Sequence, residues 1–258
     1  MSDADVGRVH GAHRFTGRIA LVTGAGSGIG AATARRLAAE AAAVACSDID
    51  LGAATTTAEA IARQGGTATQ IAHDVTDPGS WRDAVEYCRQ RFGGLDVLVN
   101  NAGFTRDRTA VKMSEGEWDE VIDVHLRGTW LGCRQALPVM RERGAGAIVN
   151  VSSESRHGSF GQANYAAAKA GIVGLTRTLA LEHARQGIRC NAVAPGMVDT
   201  PLTEAMDRDI SARLRAAIPL QRFAAPHEVA AAIAFLASED AAYITGQTLN
   251  CDGGTTWS

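Results

Sequence analysis

Tyr165 and Lys169 stand four residues apart in the alanine-rich segment 164–169, whose composition is typical of a helix. This spacing places the phenol and the ammonium group on one helix face. A free phenol has a pKa of about 10 and transfers protons poorly at neutral pH, but a cation one turn away lowers that pKa. The pair therefore predicts that Tyr165 is a general acid or base. A packed aromatic beside a solvated amine is the alternative interpretation.

A glycine-rich turn, T-G-A-G-S-G-I-G at residues 23–30, follows the first apolar run and precedes a helical stretch. Glycines let the backbone approach a pyrophosphate closely, and the start of the helix supplies free N–H groups and a positive dipole end. Its spacing is G-x-x-x-G-x-G, not the commoner G-x-G-x-x-G. An ordinary strand-to-helix turn is the alternative. The residues predicted to bind the phosphates are Gly24, Ser27, Gly28, Ile29 and Gly30.

Asp48 ends the second predicted strand, about twenty residues after this turn, where a carboxylate can accept hydrogen bonds from an adenosine ribose. A carboxylate there repels a 2′-phosphate, and neither Ser27 nor Ile49 is basic. The pattern thus favours NAD over NADP as the cofactor. The alternative is that Asp48, like Asp50, is a solvated residue at a strand end.

Short apolar runs alternate with longer amphipathic segments from Arg18 onward. Strands are predicted at residues 19–22, 43–46, 69–72, 97–99, 147–151, 188–193 and 248–250, with helices between them. Continuously apolar strands separated by helices pack in parallel with both faces covered. We therefore predict one Rossmann-type doubly wound α/β domain with about seven strands over residues 17–258, preceded by a flexible tail at residues 1–16.

Five ordered motifs resemble those of the classical short-chain dehydrogenases/reductases. They are the glycine-rich turn, Asp74 after the third strand, N-N-A-G at residues 100–103, Tyr165-x-x-x-Lys169, and P-G-M-V-D-T at residues 195–200. Within that family, residues 101–107 and 161–165 are most similar to 3-oxoacyl-thioester reductases and 3-hydroxyacyl dehydrogenases. The resemblance implies an NAD-dependent enzyme that interconverts a secondary alcohol and a ketone, with 3-hydroxyacyl or 3-oxoacyl thioesters as substrates. Free ketones or cyclic alcohols are alternative substrates, and a non-catalytic NAD-binding role is a further alternative.

The resemblance also implies roles for individual residues. Tyr165 exchanges a proton with the substrate oxygen, while Lys169 lowers the pKa of Tyr165 and hydrogen-bonds the nicotinamide ribose. The other cofactor contacts that it implies are Asp74 and Val75 at the adenine, Asn101 and Gly103 on either side of Ala102 along the adenosine, and Val198 and Thr200 at the carboxamide after the Pro195-Gly196 turn.

A serine hydroxyl near the end of the fifth strand is expected to hold the substrate oxygen, because an oriented donor stabilises charge developing there. Counting back from Tyr165 by the family spacing reaches Ser152, whereas counting forward along the strand reaches Ser153. We favour Ser153, because strand register is harder to alter than loop length. A register slip of one residue would turn this side chain to the opposite face.

His125 stands where the family usually has an asparagine that anchors a water molecule in a proton relay. A histidine can also donate and accept hydrogen bonds and titrates near neutrality, so the relay can persist with a different pH response. The alternative is a histidine that only fills space.

The overall composition excludes several classes of protein. The formal charge is −3 without basic runs, which argues against nucleic acid as a partner. The five cysteines are scattered without a C-x-x-C pair, so we expect neither disulfides nor a metal site, and a reducing cytoplasm fits best. No apolar run is long enough to span a membrane, and the first residues lack the apolar core of a signal peptide.

Two regions bear on substrate and assembly. The loop before Tyr165 carries the residues Glu154, Arg156, His157, Ser159 and Phe160, which favour a polar or charged ketone. Residues 200–220 are predicted to form a helical lid over the site. Family members commonly assemble as homotetramers or homodimers through the helix before Arg141 and the helix of Tyr165, whose predicted outer face carries Ile172, Leu175 and Leu179.

Overall fold

The computed structural model describes residues 13–200, 203 and 207–256. Its centre is one sheet of seven parallel strands in the order β3-β2-β1-β4-β5-β6-β7. The strands are β1 Ile19–Thr23, β2 Ala43–Asp48, β3 Thr67–Ala72, β4 Val97–Asn100, β5 Gly146–Val151, β6 Ile188–Pro195 and β7 Thr248–Cys251. This order confirms the predicted doubly wound α/β class, and each strand lies where its apolar run predicted it.

Helices connect successive strands. They are α1 Gly28–Ala39, α2 Leu51–Arg63, α3 Pro78–Phe92, α4 Glu115–Ile122, α5 Gly128–Arg143, α6 Ala163–His183, α7 Arg208–Ala217 and α8 Pro226–Ala237. A π-helical turn, Asp123–Arg127, joins α4 to α5, and a 3-10 turn, Glu154–His157, follows β5. Local signals set several ends: Asp77 accepts hydrogen bonds from two N–H groups at the start of α3, and Gly93 ends that helix at a φ of 95°.

Helices cover both faces of the sheet. Adjacent residues of β1 point to opposite sides, so Leu21 packs in a cluster with Trp81 of α3 and Leu131 of α5. Val22 packs in the other cluster, with side chains from α1 and α8. This two-sided burial explains why the central strands β1, β4 and β5 are mostly apolar along their whole length.

The strand order reverses direction at β1, which has β2 on one side and β4 on the other. Connections leave the carboxyl ends of these two strands in opposite directions and open a crevice at that edge, where ligands bind in such sheets. The residues that the sequence singled out lie at or after the carboxyl ends of the strands β1 to β6.

The structure corrects two of the expectations from the sequence and describes only part of a third region, the predicted lid. Residues 1–12 of the predicted tail lie outside the described residues, but Arg14 pairs with Glu40 and Phe15 is in the core, so packing begins before residue 17. Ile172 and Leu179 are buried inside the fold, so they do not form an outer face for assembly. Helix α7 lies within the predicted lid, of which residues 201, 202 and 204–206 lie outside the description. Among the described helices, none is long and apolar enough to cross a membrane.

Candidate active site

The glycine-rich turn has the shape of an anion cradle. Gly24 and Gly28 have φ values of +64° and +52°, a region that favours glycine. A Cβ at Gly30 would overlap the carbonyl of Gly24, so the third glycine allows close packing of turn and helix. Ser27 precedes α1 without capping it through its side chain, which leaves N–H groups of the first turn for a ligand. The turn therefore fits a pyrophosphate.

Asn101 and Ala102 hold this turn from the end of β4. Their backbone N–H groups donate to Thr23 Oγ1 at 3.0 and 3.1 Å, and Asn101 Nδ2 donates to the Thr23 carbonyl at 2.9 Å. The Asn101 amide is thus occupied by the backbone of the turn. Its part in the predicted cofactor site is to fix the turn that faces the phosphates.

The predicted adenosine end lies on β2 and β3. Asp48 is half-buried, and its Oδ2 accepts a hydrogen bond from Gly26 N at 2.9 Å, which ties the carboxylate to the phosphate-binding turn. Asp74 Oδ1 accepts from Thr76 N at 2.8 Å, and the Val75 carbonyl accepts from Trp81 Nε1 at 2.9 Å. Asp48, Asp74 and Val75 are therefore held rigidly by local hydrogen bonds.

The predicted carboxamide end follows β6. Gly196 N donates to the Cys251 carbonyl at 3.1 Å, which fixes the turn after Pro195. Val198 is buried, and Thr200 lies close enough that a Cβ on Gly28 would be 3.3 Å from its Cγ2. The structure thus brings the segment after β6 against the start of α1.

Tyr165 and Lys169 lie on one face of α6, with Lys169 Nζ 5.3 Å from the centre of the Tyr165 ring. Lys169 is buried and donates to the Val151 carbonyl at 2.6 Å, which holds the amine at the end of β5. Burial lowers the pKa of Lys169 to about 7 and raises the pKa of Tyr165 to about 12. The predicted lowering of the Tyr165 pKa by Lys169 is not found, because desolvation of the phenolate dominates.

The two candidate serines have different surroundings. The Ser153 side chain lies beside Tyr165, where it offsets part of the rise that burial causes in the pKa of the phenol. The Ser153 Oγ also accepts a hydrogen bond from Ser155 N at 3.1 Å. Ser152 is buried and donates its hydroxyl to the Lys169 carbonyl at 2.8 Å, within the wall behind the site. Only Ser153 of the two is therefore placed to share a substrate oxygen with Tyr165.

His125 lies in the π-helical turn, with 2% of its surface exposed, and its ring is edge-on to Tyr165 with centres 5.0 Å apart. Its Nε2 lies 2.7 Å from the Phe104 carbonyl and 3.1 Å from the Phe104 N–H, while its buried Nδ1 has no partner. Burial, and then the charge of Lys169, lower the pKa of His125 to about 3. The ring is neutral at physiological pH, so the expected titration near neutrality is wrong.

Asn164 supports the site, although no role was predicted for it from the sequence. It is fully buried, and its Nδ2 donates to the carbonyls of Arg106 and Glu117 at 3.3 and 2.9 Å, which anchors the start of α6 beside Tyr165. The sequence signal that could have indicated it is an amide side chain at the start of the helix, directly before Tyr165. Elsewhere in the described chain, no three His, Cys, Asp or Glu side chains are grouped to hold a metal ion.

Comparisons with known proteins agree with this architecture. The family model described as enoyl-(acyl carrier protein) reductase matches residues 24–256. The chain is 44% identical over 245 residues to the 3-oxoacyl-(acyl-carrier-protein) reductase of Thermotoga maritima, covering 93% of this chain and 98% of that protein. It is 42% identical to the (3R)-3-hydroxyacyl-CoA dehydrogenase of Canis lupus familiaris, covering 93% and 97%.

The chain is also 46% identical to the cis-4-hydroxycyclohexanecarboxylate dehydrogenase of Sinomonas cyclohexanicum, covering 94% and 98% of the two chains. Matches of this extent and identity show common family membership as well as a common fold. The chain belongs to the short-chain dehydrogenase/reductase family, oxidoreductases that depend on a nicotinamide dinucleotide and act on alcohol and ketone groups.

Proposed function

We propose that this protein is an NAD-dependent dehydrogenase/reductase that interconverts 3-hydroxyacyl and 3-oxoacyl thioesters, with Ser153, Tyr165 and Lys169 at its reacting centre. The observation that carries this proposal is the placement of the Ser153 side chain beside Tyr165, on the helix face where Lys169 is buried. These groups lie at the same edge of the sheet as the phosphate-binding turn. The thioester activities for which the Thermotoga and Canis relatives are named support a thioester substrate.

The hydroxyls of Ser153 and Tyr165 together hold the substrate oxygen. When bound, the nicotinamide exchanges hydride with the substrate carbon. In ketone reduction Tyr165 donates its proton to the substrate oxygen, while Ser153 donates a hydrogen bond to the same atom. A phenol with a pKa of about 12 is protonated at neutral pH, which is the form that ketone reduction requires.

Lys169 and His125 complete this centre. Lys169, with a pKa of about 7, is present in both protonation states at neutral pH, and its charged form stabilises the phenolate that remains after proton donation. The resemblance to the family implies that Lys169 also donates a hydrogen bond to the nicotinamide ribose. The neutral His125 offers Nδ1 as a polar atom without a partner, which supports a part in the proton relay.

The preference for NAD rests on Asp48. Its carboxylate is fixed by Gly26 N at the edge of the phosphate-binding turn, where it would meet the adenosine ribose hydroxyls and repel a 2′-phosphate. Ser27 and Ile49, the neighbouring positions, carry no positive charge to offset that repulsion.

A cyclic or free alcohol is the second candidate substrate. Glu154 and Arg156 are half-buried directly after Ser153, which gives this side of the site polar groups. The Sinomonas relative is named for its action on a cyclohexane alcohol that carries a carboxylate, which supports the same substrate class.

Turnover assays separate these candidates. Oxidation of NADH and of NADPH is measured with acetoacetyl-coenzyme A and with a set of cyclic and aliphatic ketones. Tyr165→Phe, which removes only the hydroxyl, is expected to lower kcat by about 100-fold or more. Tyr243→Phe, at a fully exposed tyrosine, is the matched control.

Thioester turnover with NADH supports the first candidate, and turnover of ketones alone supports the second. NADH binding without turnover of any substrate would instead support a non-catalytic role. A cytoplasmic location and a homotetramer or homodimer stay predictions, and light scattering measures the assembly.

A further inference from the structure

Arg156 occupies the third position after Ser153, within the 3-10 turn Glu154–His157, and is half-buried. Its guanidinium makes two hydrogen bonds in different directions. Nη1 donates to the Ser153 carbonyl at 3.1 Å, and Nη2 donates to Asn250 Oδ1 on β7 at 2.7 Å. One side chain thus connects the serine to the edge strand of the sheet, across 94 residues of sequence.

The segment that this connection reaches has weak support of its own. The 3-10 turn is four residues long, and its last residue, His157, is exposed together with the residues that follow it up to Phe160. Its other hydrogen bonds are local: Ser155 N donates to Ser153 Oγ, and Ser155 Oγ donates to Gln162 Oε1 at 3.2 Å. Such local bonds shape the turn but do not fix it against the sheet.

The far end of the connection is rigid. Asn250 lies in β7 and donates through Nδ2 to Thr256 Oγ1 at 2.9 Å. Thr256 donates in turn to Asp252, whose other carboxylate oxygen accepts from Gly254 N at 3.0 Å. Arg156 is therefore tied to a strand and to a bonded turn rather than to a free surface side chain.

We propose that Arg156 is a positioning residue, which fixes the Ser153 hydroxyl for the reaction by tying the serine turn to Asn250 on β7. The proposal rests on the proposed function, because it assumes that Ser153 holds the substrate oxygen. The planar guanidinium reaches both acceptors at once, whereas a lysine ammonium on a flexible stem holds at most one of them in place. Small displacements of a group that contacts the reacting atoms reduce turnover strongly, by about 100-fold per ångström.

Kinetics and hydrogen exchange test the proposal together. Arg156→Met is expected to lower kcat by about 10- to 100-fold and to leave the Kd of NADH within about twofold, because the cofactor site is not touched. The kcat of Arg156→Lys is expected to lie between those of the wild type and of Arg156→Met. Asn250→Leu removes the same connection from the other end and is expected to reproduce the loss. Arg63→Met, at an exposed arginine of α2, is the matched control.

Two readouts distinguish positioning from a general structural effect. In a Ser153→Ala background, Arg156→Met is expected to have no further effect on kcat, because it acts through the serine. Exchange of the Ser155 amide, which donates to Ser153 Oγ, is expected to become at least about tenfold faster in Arg156→Met. An equal loss of kcat in both backgrounds, or unchanged exchange at Ser155, overturns the proposal.

The exchange measurement does not depend on turnover. A wild-type protein that reduces no carbonyl substrate therefore overturns the proposed function, while faster exchange in Arg156→Met still shows that the connection orders the turn. If Ser153→Ala keeps full kcat, the role of Ser153 is wrong, and the catalytic part of this proposal is overturned with it.

Discussion

Gly103 and His125 form a contact that allows a quantitative test of the site. A Cβ on Gly103 would overlap Cε1 of the His125 ring and lie 2.7 Å from Nδ1. The ring cannot easily move aside, because it is buried and its Nε2 contacts both backbone groups of Phe104. Gly103→Ala is therefore expected to cost about 1 to 3 kcal/mol of overpacking.

The size of this cost depends on the ring. In a His125→Ala background the space is empty, so Gly103→Ala is expected to cost close to nothing. The two substitutions should thus be coupled by about 1 to 3 kcal/mol. The penalty of leaving the Phe104 backbone without His125 is present in both His125→Ala proteins and cancels in the comparison.

Thermal unfolding of the four proteins at one fixed protein concentration measures this coupling, since assembly makes the midpoint depend on concentration. For a chain of this size, 1 kcal/mol corresponds to about 2 to 4 °C in Tm. Gly116→Ala, where a Cβ meets open space in α4, is the control and should show no loss. Equal shifts from Gly103→Ala with and without the His125 ring would refute the packing argument.

Two further predictions concern charge. Asp48→Asn keeps an acceptor for Gly26 N but removes the carboxylate charge, and it should raise kcat/KM for NADPH relative to NADH by at least about tenfold. Such a change is a modest fraction of the roughly 4 kcal/mol between unit charges 4 Å apart at an effective dielectric of about 20. Asp50→Asn, two residues on, is the control, and an unchanged ratio in Asp48→Asn would contradict the assignment. His73 is buried against Trp81, and this burial lowers the pKa of its imidazole from 6.5 to about 4 in the folded state. The unfolded state therefore binds the proton first, and stability is lost as the pH falls from about 6.5 towards 4. Urea unfolding at pH 7 and pH 5 should show a smaller loss in His73→Asn than in the wild type, and equal losses would exclude His73 as the cause.

The fold could be predicted from the sequence because its main signals are local. The central strands β1, β4 and β5 are mostly apolar and buried, and residues such as Leu21 and Val22 are apolar on both faces because helices cover both sides. Local chemistry also ends α3, because the positive φ just after its last residue favours the glycine that the sequence supplies there, Gly93.

The site was predicted in part. The spacing of Tyr165 and Lys169 indicated a shared helix face, and strand register favoured Ser153. The pKa values of Tyr165, Lys169 and His125 could not be predicted, because desolvation depends on what covers a group in three dimensions. For the same reason the apolar residues Ile172 and Leu179 indicated a packed face without showing that the protein's own core covers it.

The bonds from Asn101 and Ala102 to Thr23 also bear on how the chain folds. They join residues 78 and 79 positions apart, so the phosphate-binding turn is complete only after β4 has paired with β1. Closing so long a loop is an entropic cost that local helix formation does not offset. A fragment spanning residues 13–92 contains the whole glycine motif and the three strands β1 to β3, yet it lacks both donors to Thr23. Dinucleotide binding should therefore arise late in folding, together with the central strand pair, and not with the segment that carries the motif.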